Sequence, residues 1–224
     1  MWLPIVLAGA MLCWLPFCIW TAYHWKPSNY LISKTICSTL FVLTGLASLL
    51  FIDIPNRYAI MIMVALILGW IGDVFLVYYQ TPKWFITGLV SFLVGQIIYG
   101  SAFISYIGVS WFDVAIYFGI LSIAMLIYPK TNLMLKKMKI PDFAYVLIVL
   151  FMFTAAISSL YKSGINSTTT MLIAFGGLLF IISDLILAFV LFDKTASKSL
   201  TAFNLAFYYS AQVLLALSIL TFAL

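Results

Sequence analysis

Two aspartates interrupt runs that otherwise read as membrane-spanning helix: Asp73 in LILGWIGDVFLVYY (66–79) and Asp184 in LLFIISDLILAFV (178–190). A charged Asp at mid-bilayer costs at least ~2.5–3.5 kcal/mol even on lenient insertion scales, so each is a functional candidate by default. Other costly groups recur at similar depth. Lys34 begins the second apolar run, Gln96 and Tyr99 are one turn apart in the fourth, and Tyr208, Tyr209 and Gln212 are neighbours at helical spacing in the last. Such side chains must face the bundle interior or a wet cavity and find one another. One polar pocket in one half of the membrane is the economical reading. Two carboxylates in unequal surroundings can hold one proton-bearing acid and one ionised base. Lys34 would bias which Asp stays charged, or bind a phosphate. The set suits acid-catalysed cleavage through an oxocarbenium-like intermediate, the logic used at glycosidic bonds. It equally suits a proton-coupled transporter or a lipid-binding protein. Nucleophilic catalysis is poorly served, because Ser183 has no His beside it and no Gly-x-Ser-x-Gly elbow occurs. Two Asp without a buried His, a Cys cluster or Glu make a poor zinc set, so no metal is expected.

The elements that must carry these groups follow from composition. Of 224 residues, 66% are hydrophobic and 8% charged, too few charges to cover a water-soluble domain. The chain reads as an all-α, polytopic membrane bundle forming a single transmembrane domain over 1–224. A span needs about 20 apolar residues. Eight such runs are found, at 3–23, 31–50, 58–79, 84–106, 111–129, 141–161, 169–192 and 200–223. The first lacks a basic start and a small-residue cleavage site, so it is expected to be a retained helix. Asp53, Asp113, Asp142 and Asp193 fall in turns or at helix ends, whereas Asp73 and Asp184 lie about seven to nine residues inside their runs. At 1.5 Å per residue that is roughly 10–13 Å. The pattern Gly72-Asp73 with Gln96, then Ser183-Asp184 with Gln212, allows two four-helix halves with a site at their interface.

The net charge of +5 points to basic loops beside anionic lipid, not to nucleic acid. Eight Lys residues (26, 83, 130, 136, 137, 139, 194 and 198) follow odd-numbered runs, against Arg57 and Lys162 on the other side. By the positive-inside rule both termini face away from the cytosol, in the inner membrane if the cell is bacterial. Cys13, Cys18 and Cys37 sit in apolar runs and read as packing residues. Tyr78, Tyr79, Trp84 and Trp111 read as interfacial belt aromatics.

The chain resembles the YhhN-like family of membrane proteins, whose characterised members are lysoplasmalogenases. The resemblance rests on Lys34, the Gly72-Asp73-Val-Phe-Leu76 block, and Gly88…Phe92…Gln96-Ile-Ile-Tyr99. It continues through Pro141…Tyr145…Met152, Gly177-Leu-Leu-Phe-Ile-Ile-Ser183-Asp184…Leu187-Ala188 and Tyr208-Tyr209-Ser-Ala-Gln212. Two positions depart from the family's usual pattern: Gln96 stands where His is usual, and Thr35 where Pro is usual. Gln can hydrogen-bond but cannot carry a proton at neutral pH. The resemblance implies hydrolysis of the vinyl ether bond of a lysoplasmalogen, a lysophospholipid, to a fatty aldehyde and glycerophosphoethanolamine or glycerophosphocholine. It implies no organic cofactor. On this reading Asp73 and Asp184 are the catalytic acid and base, and Lys34, Gln96, Tyr99, Tyr208, Tyr209 and Gln212 contact substrate. Lys34, near the membrane edge, is expected to bind the phosphate, so that its loss chiefly raises KM.

Overall fold

The computed structural model describes residues 2–24, 26–53, 56–127, 139–162, 166–192 and 198–222. Their regular structure is helical throughout: α1 Trp2–His24, α2 Pro27–Leu49, α3 Arg57–Leu76, α4 Pro82–Ile107, α5 Trp111–Ile127, α6 Lys139–Ser158, α7 Ser167–Phe192 and α8 Lys198–Phe222, with a 3-10 turn Ser159–Tyr161 after α6. A backbone in lipid must satisfy its own polar groups, which helices do. Seven of the helices are long and apolar enough to cross a membrane, making this a multi-pass membrane protein. The fifth, α5, has 17 residues, roughly 25 Å at 1.5 Å each, which is short of the ~30 Å hydrocarbon layer. The expected fifth span ran to residue 129, and residues 128 and 129 lie outside the described ones. So do Lys130, Lys136, Lys137, Asp193 and Lys194.

Local chemistry sets the ends. Pro27 and Pro82 open α2 and α4, where a missing N–H leaves no bond unmade. Asn56 caps α3 by accepting from the Ala59 N–H at 2.9 Å. Asn166 caps α7 in the same way, accepting from Thr168 at 2.9 Å. Gly108, at φ 74°, ends α4 and returns its N–H to the Ile104 carbonyl at 2.8 Å. Asp113 behaves as a helix-end acid. It accepts from Ser110 N at 2.6 Å, pairs with Lys162 at 2.9 Å and takes the Tyr161 hydroxyl, tying α5 to the turn after α6.

The bundle is centred on α8, which packs against α1, α2, α3 and α7. Helix α4 packs on α3 and α6, α6 on α7, and α5 chiefly on α6. Contacts therefore cross between the first four helices and the last four. The α3–α4 seam is close, since a Cβ on Gly88 would lie 3.3 Å from the Gly72 carbonyl and 2.8 Å from Leu76. Small residues let helices approach where lipid supplies no hydrophobic drive.

One boundary matters for the site. The sequence pattern puts 27–30 in a loop and Lys34 about three residues inside its helix, whereas α2 begins at Pro27. Lys34 thus sits about two turns in, roughly 10 Å from the helix start. Asp73, by contrast, is in the last turn of α3, which ends at Leu76. The two side chains reach the same level.

Candidate functional site

A cavity of about 440 Å³ opens where α1, α3 and α7 end and α2, α4 and α8 begin. This is an ordinary size for a small-ligand site, which runs from about 300 to 1,000 Å³. It extends from Pro27, Gln80 and Thr81 at the helix ends inward to Gln96 and Tyr208. Leu76, Leu89, Phe92 and Leu187 make apolar walls, and Lys34, Asp73 and Asp184 are also in its lining.

Around Asp73 the chain supplies a cation and two hydroxyls. Lys34 Nζ lies 3.0 Å from Oδ1. Ser38 Oγ donates to Oδ2 at 2.6 Å, and the Tyr208 hydroxyl donates to the same oxygen at 2.9 Å. Tyr209 secures this cluster from behind. Its hydroxyl donates to the Lys34 carbonyl at 3.2 Å and lies 3.1 Å from Ser38 Oγ. Asp73 is 1% exposed and Lys34 8%. A cation and two hydroxyl donors on one buried carboxyl favour its ionised form and hold it in a defined place.

Asp184 is set differently. The Gln96 amide nitrogen donates to its Oδ2, and Tyr145 of α6 adds a hydroxyl. Beside it, Asn204 Nδ2 donates to the Ser183 carbonyl at 2.8 Å and to Ser183 Oγ at 3.1 Å, locking α8 to α7 at this level. Among the described residues the ion pairs are Lys34–Asp73 and Lys162–Asp113, and neither includes Asp184. A carboxyl held by neutral donors can take up and release a proton without breaking an ion pair. Gln96 Oε1 is buried and has no hydrogen-bond partner.

The structure brings the sequence-derived residues into two tiers. Asp73, Asp184, Lys34, Gln96 and Tyr208 line the cavity. Tyr99, Tyr209 and Gln212 stand behind its wall, at 1%, 0% and 0% exposed, joined to it through hydrogen bonds. Lys34 is engaged with Asp73, so a phosphate would have to share its ammonium. Ser38, Tyr145 and Asn204 belong to the site and were not singled out from spacing. Tyr145 is among the residues that carry the family resemblance, and the other two have a signal in their spacing. Ser38 is one turn from Lys34, and Asn204, Tyr208 and Gln212 recur every four residues on one face of α8. Tyr78 and Tyr79, read as belt aromatics, also line the mouth.

Comparison with known proteins agrees with this reading at the level of family. No curated protein and no solved structure matches the chain. The family model for the YhhN family matches residues 29–219, which takes in Lys34, both aspartates and the whole of the polar cluster behind them. The chain belongs to the YhhN family.

Proposed function

We propose that this protein is a membrane-embedded hydrolase that cleaves the vinyl ether bond of lysoplasmalogens. The observation that carries the reading is the pair of unlike carboxyls in one cavity: Asp73 beside a cation, Asp184 beside neutral donors. A vinyl ether hydrolyses when its outer carbon accepts a proton, leaving an oxocarbenium ion that water attacks. Asp184 gives that proton and is left as a carboxylate. Asp73 stabilises the cation through space. The carboxylate of Asp184 then takes the proton from the attacking water. The hemiacetal so formed collapses to a fatty aldehyde and the glycerophospho alcohol, and no electrons are exchanged. The alkyl chain lies on the apolar walls, while the headgroup stays at the mouth near Tyr78 and Tyr79. Lys34 serves Asp73 first and the phosphate second.

On this reading the mouth faces the cytosol and both termini face away from it, as the eight-to-two bias of basic loop residues supports. A cysteine introduced at Lys136 should react with a membrane-impermeant thiol reagent only after the cytosolic face is exposed. Labelling from outside intact cells reverses the orientation.

The deciding experiment uses purified protein in detergent, a lysoplasmalogen, and its saturated ether analogue. Aldehyde is expected from the first and not from the second. Binding of both lipids with no aldehyde from either would make the cavity a transport or lipid-binding site instead.

A further inference from the structure

The Asp73 end of the cavity is backed by a chain of hydrogen bonds that runs in one direction. The Tyr99 hydroxyl of α4 donates to Gln212 Oε1 at 2.7 Å. Gln212 Nε2 donates to the Tyr208 hydroxyl oxygen at 2.9 Å. Tyr208 donates to Asp73 Oδ2 at 2.9 Å. The Asp73 carboxylate can only accept, so Tyr208 spends its single proton there and its oxygen is left for a donor, which fixes the two ends of the Gln212 amide. The NH2 must then point at Tyr208. With its oxygen occupied by that donor, Tyr208 directs its single proton to Asp73. Successive bonds of one polarity strengthen each other in a low-dielectric interior.

The neighbouring helix is cut to fit. Gly69 lies one turn before Asp73 on α3. A Cβ there would sit 2.6 Å from Gln212 Nε2 and 3.3 Å from the Tyr208 hydroxyl. The first distance is too short for any real contact, so the amide occupies space that only glycine leaves open.

We propose that Gln212 is a positioning residue, which acts through Tyr208 to hold a donor on Asp73, with Gly69 providing the clearance. The inference rests on the hydrolase reading, in which the charge on Asp73 stabilises the cation. Among the described residues the titratable groups around the chain are Tyr99 from α4, Tyr208 and Tyr209 from α8, Asp73 and Tyr58 from α3, Lys34, Tyr30 and Cys37 from α2, and Cys18 from α1.

An isosteric swap separates positioning from space-filling. In Gln212→Glu, the new carboxyl when protonated accepts from Tyr99 and donates to Tyr208, as the amide does. When ionised it can only accept, so Tyr208 turns its proton to it and Asp73 loses a donor. Expected for Gln212→Glu is near-wild-type kcat at the acid end of the range. As pH rises kcat falls by about tenfold or more, with little change in KM, through an ionisation absent from the wild type. Gln212→Leu removes the amide without adding a competing acceptor, so its loss should be smaller and independent of pH. At the alkaline end a space-filling role predicts the opposite order, with Leu worse than Glu, and that order there would overturn the proposal. Gly69→Ala should lower kcat several-fold in the wild-type background and add nothing in Gln212→Leu, whereas additive losses would count against the coupling. The infrared carboxylate band of Asp73, assigned by difference against Asp73→Asn, needs no turnover. It should move with pH in Gln212→Glu and stay fixed in the wild type. If the wild type releases no aldehyde, the hydrolase reading falls while this band still decides the relay. A band unmoved by the swap sinks the relay even in an active enzyme.

Discussion

Asp73 and Asp184 are the same residue type in the same cavity, yet their neighbours give them different surroundings. Asp73 receives an ammonium and two hydroxyls from α2 and α8, with Tyr209 and Gln212 behind them. Asp184 receives an amide from α4 and a phenol from α6, and no cation among the described residues. Asp73 is thus tied into the framework, because removing either member of its pair with Lys34 strands a buried charge. Asp184 is held more lightly, by groups that do not depend on its ionisation. The proposed division of labour, a fixed charge at one end and a movable proton at the other, follows from this difference. Two acids need not differ in kind to differ in role.

The largest expected effects test that division directly. Asp184→Asn should lower kcat by about 10²–10⁴-fold, the usual worth of a general acid, and leave the melting temperature close to wild type. Asp73→Asn should also abolish turnover, but at a cost in stability. Breaking a buried pair by removing one partner is worth about 3–5 kcal/mol, so this variant should melt well below Asp184→Asn in a detergent thermal scan. The double variant Lys34→Met with Asp73→Asn should regain much of that melting temperature while staying inactive. If Asp184→Asn melts as early as Asp73→Asn, the two ends are not built differently after all.

Lys34→Met comes next. Sequence reasoning expected a rise in KM, from a lysine near the membrane edge reaching a phosphate. The 3.0 Å pair with Asp73 shifts the expectation to a loss of kcat with a displaced pH–rate profile. Steady-state kinetics across pH read the difference, and a rise in KM alone would return Lys34 to the headgroup. The smallest effects concern single hydroxyls. Tyr145→Phe should lower kcat by about tenfold or less through Asp184 and leave the melting temperature nearly unmoved. Ser38→Ala removes a 2.6 Å bond to Asp73 and should cost about 1–3 kcal/mol of stability. Equal kinetic losses from the two would blur the contrast between the ends.

Much of the architecture was legible without coordinates. Run length and loop punctuation locate the eight helices to within a few residues, apart from the start of α2. There, Lys26-Pro27-Ser28-Asn29 looks like a loop because Pro and Asn mark turns, but Pro at the first helical position is equally well placed. That shift of about one turn carried Lys34 from the membrane edge to the level of Asp73. Tyr145 carries part of the family resemblance, but its spacing gives it no role. A tyrosine near a span end is usually an interfacial anchor, and only its helix's position beside α4 and α7 aims it at Asp184. The family resemblance makes Gln212 a substrate contact, and helical spacing puts it on one face of α8 with Tyr208, to which it is hydrogen-bonded. Depth behind the wall depends on what packs in front, here Tyr208 and the glycine step of α3.

The sequence by itself determined that this chain lives in lipid, that its regular structure is helical, and that its few buried polar groups must converge. Lipid offers no solvent for a stray backbone or charge, so composition and a 3.6-residue period decide those matters locally. Only the tertiary structure decided the partners. Lys34 meets Asp73 and not Asp184. Gln96 of the first four helices meets Asp184 of the last four, and Tyr99 reaches Gln212 across the bundle. Periodicity fixes the face and depth of a side chain but says nothing about which helix stands opposite. That choice comes from contacts between residues far apart in the chain, such as Gly69 against Gln212 and Gly88 against the Gly72 carbonyl.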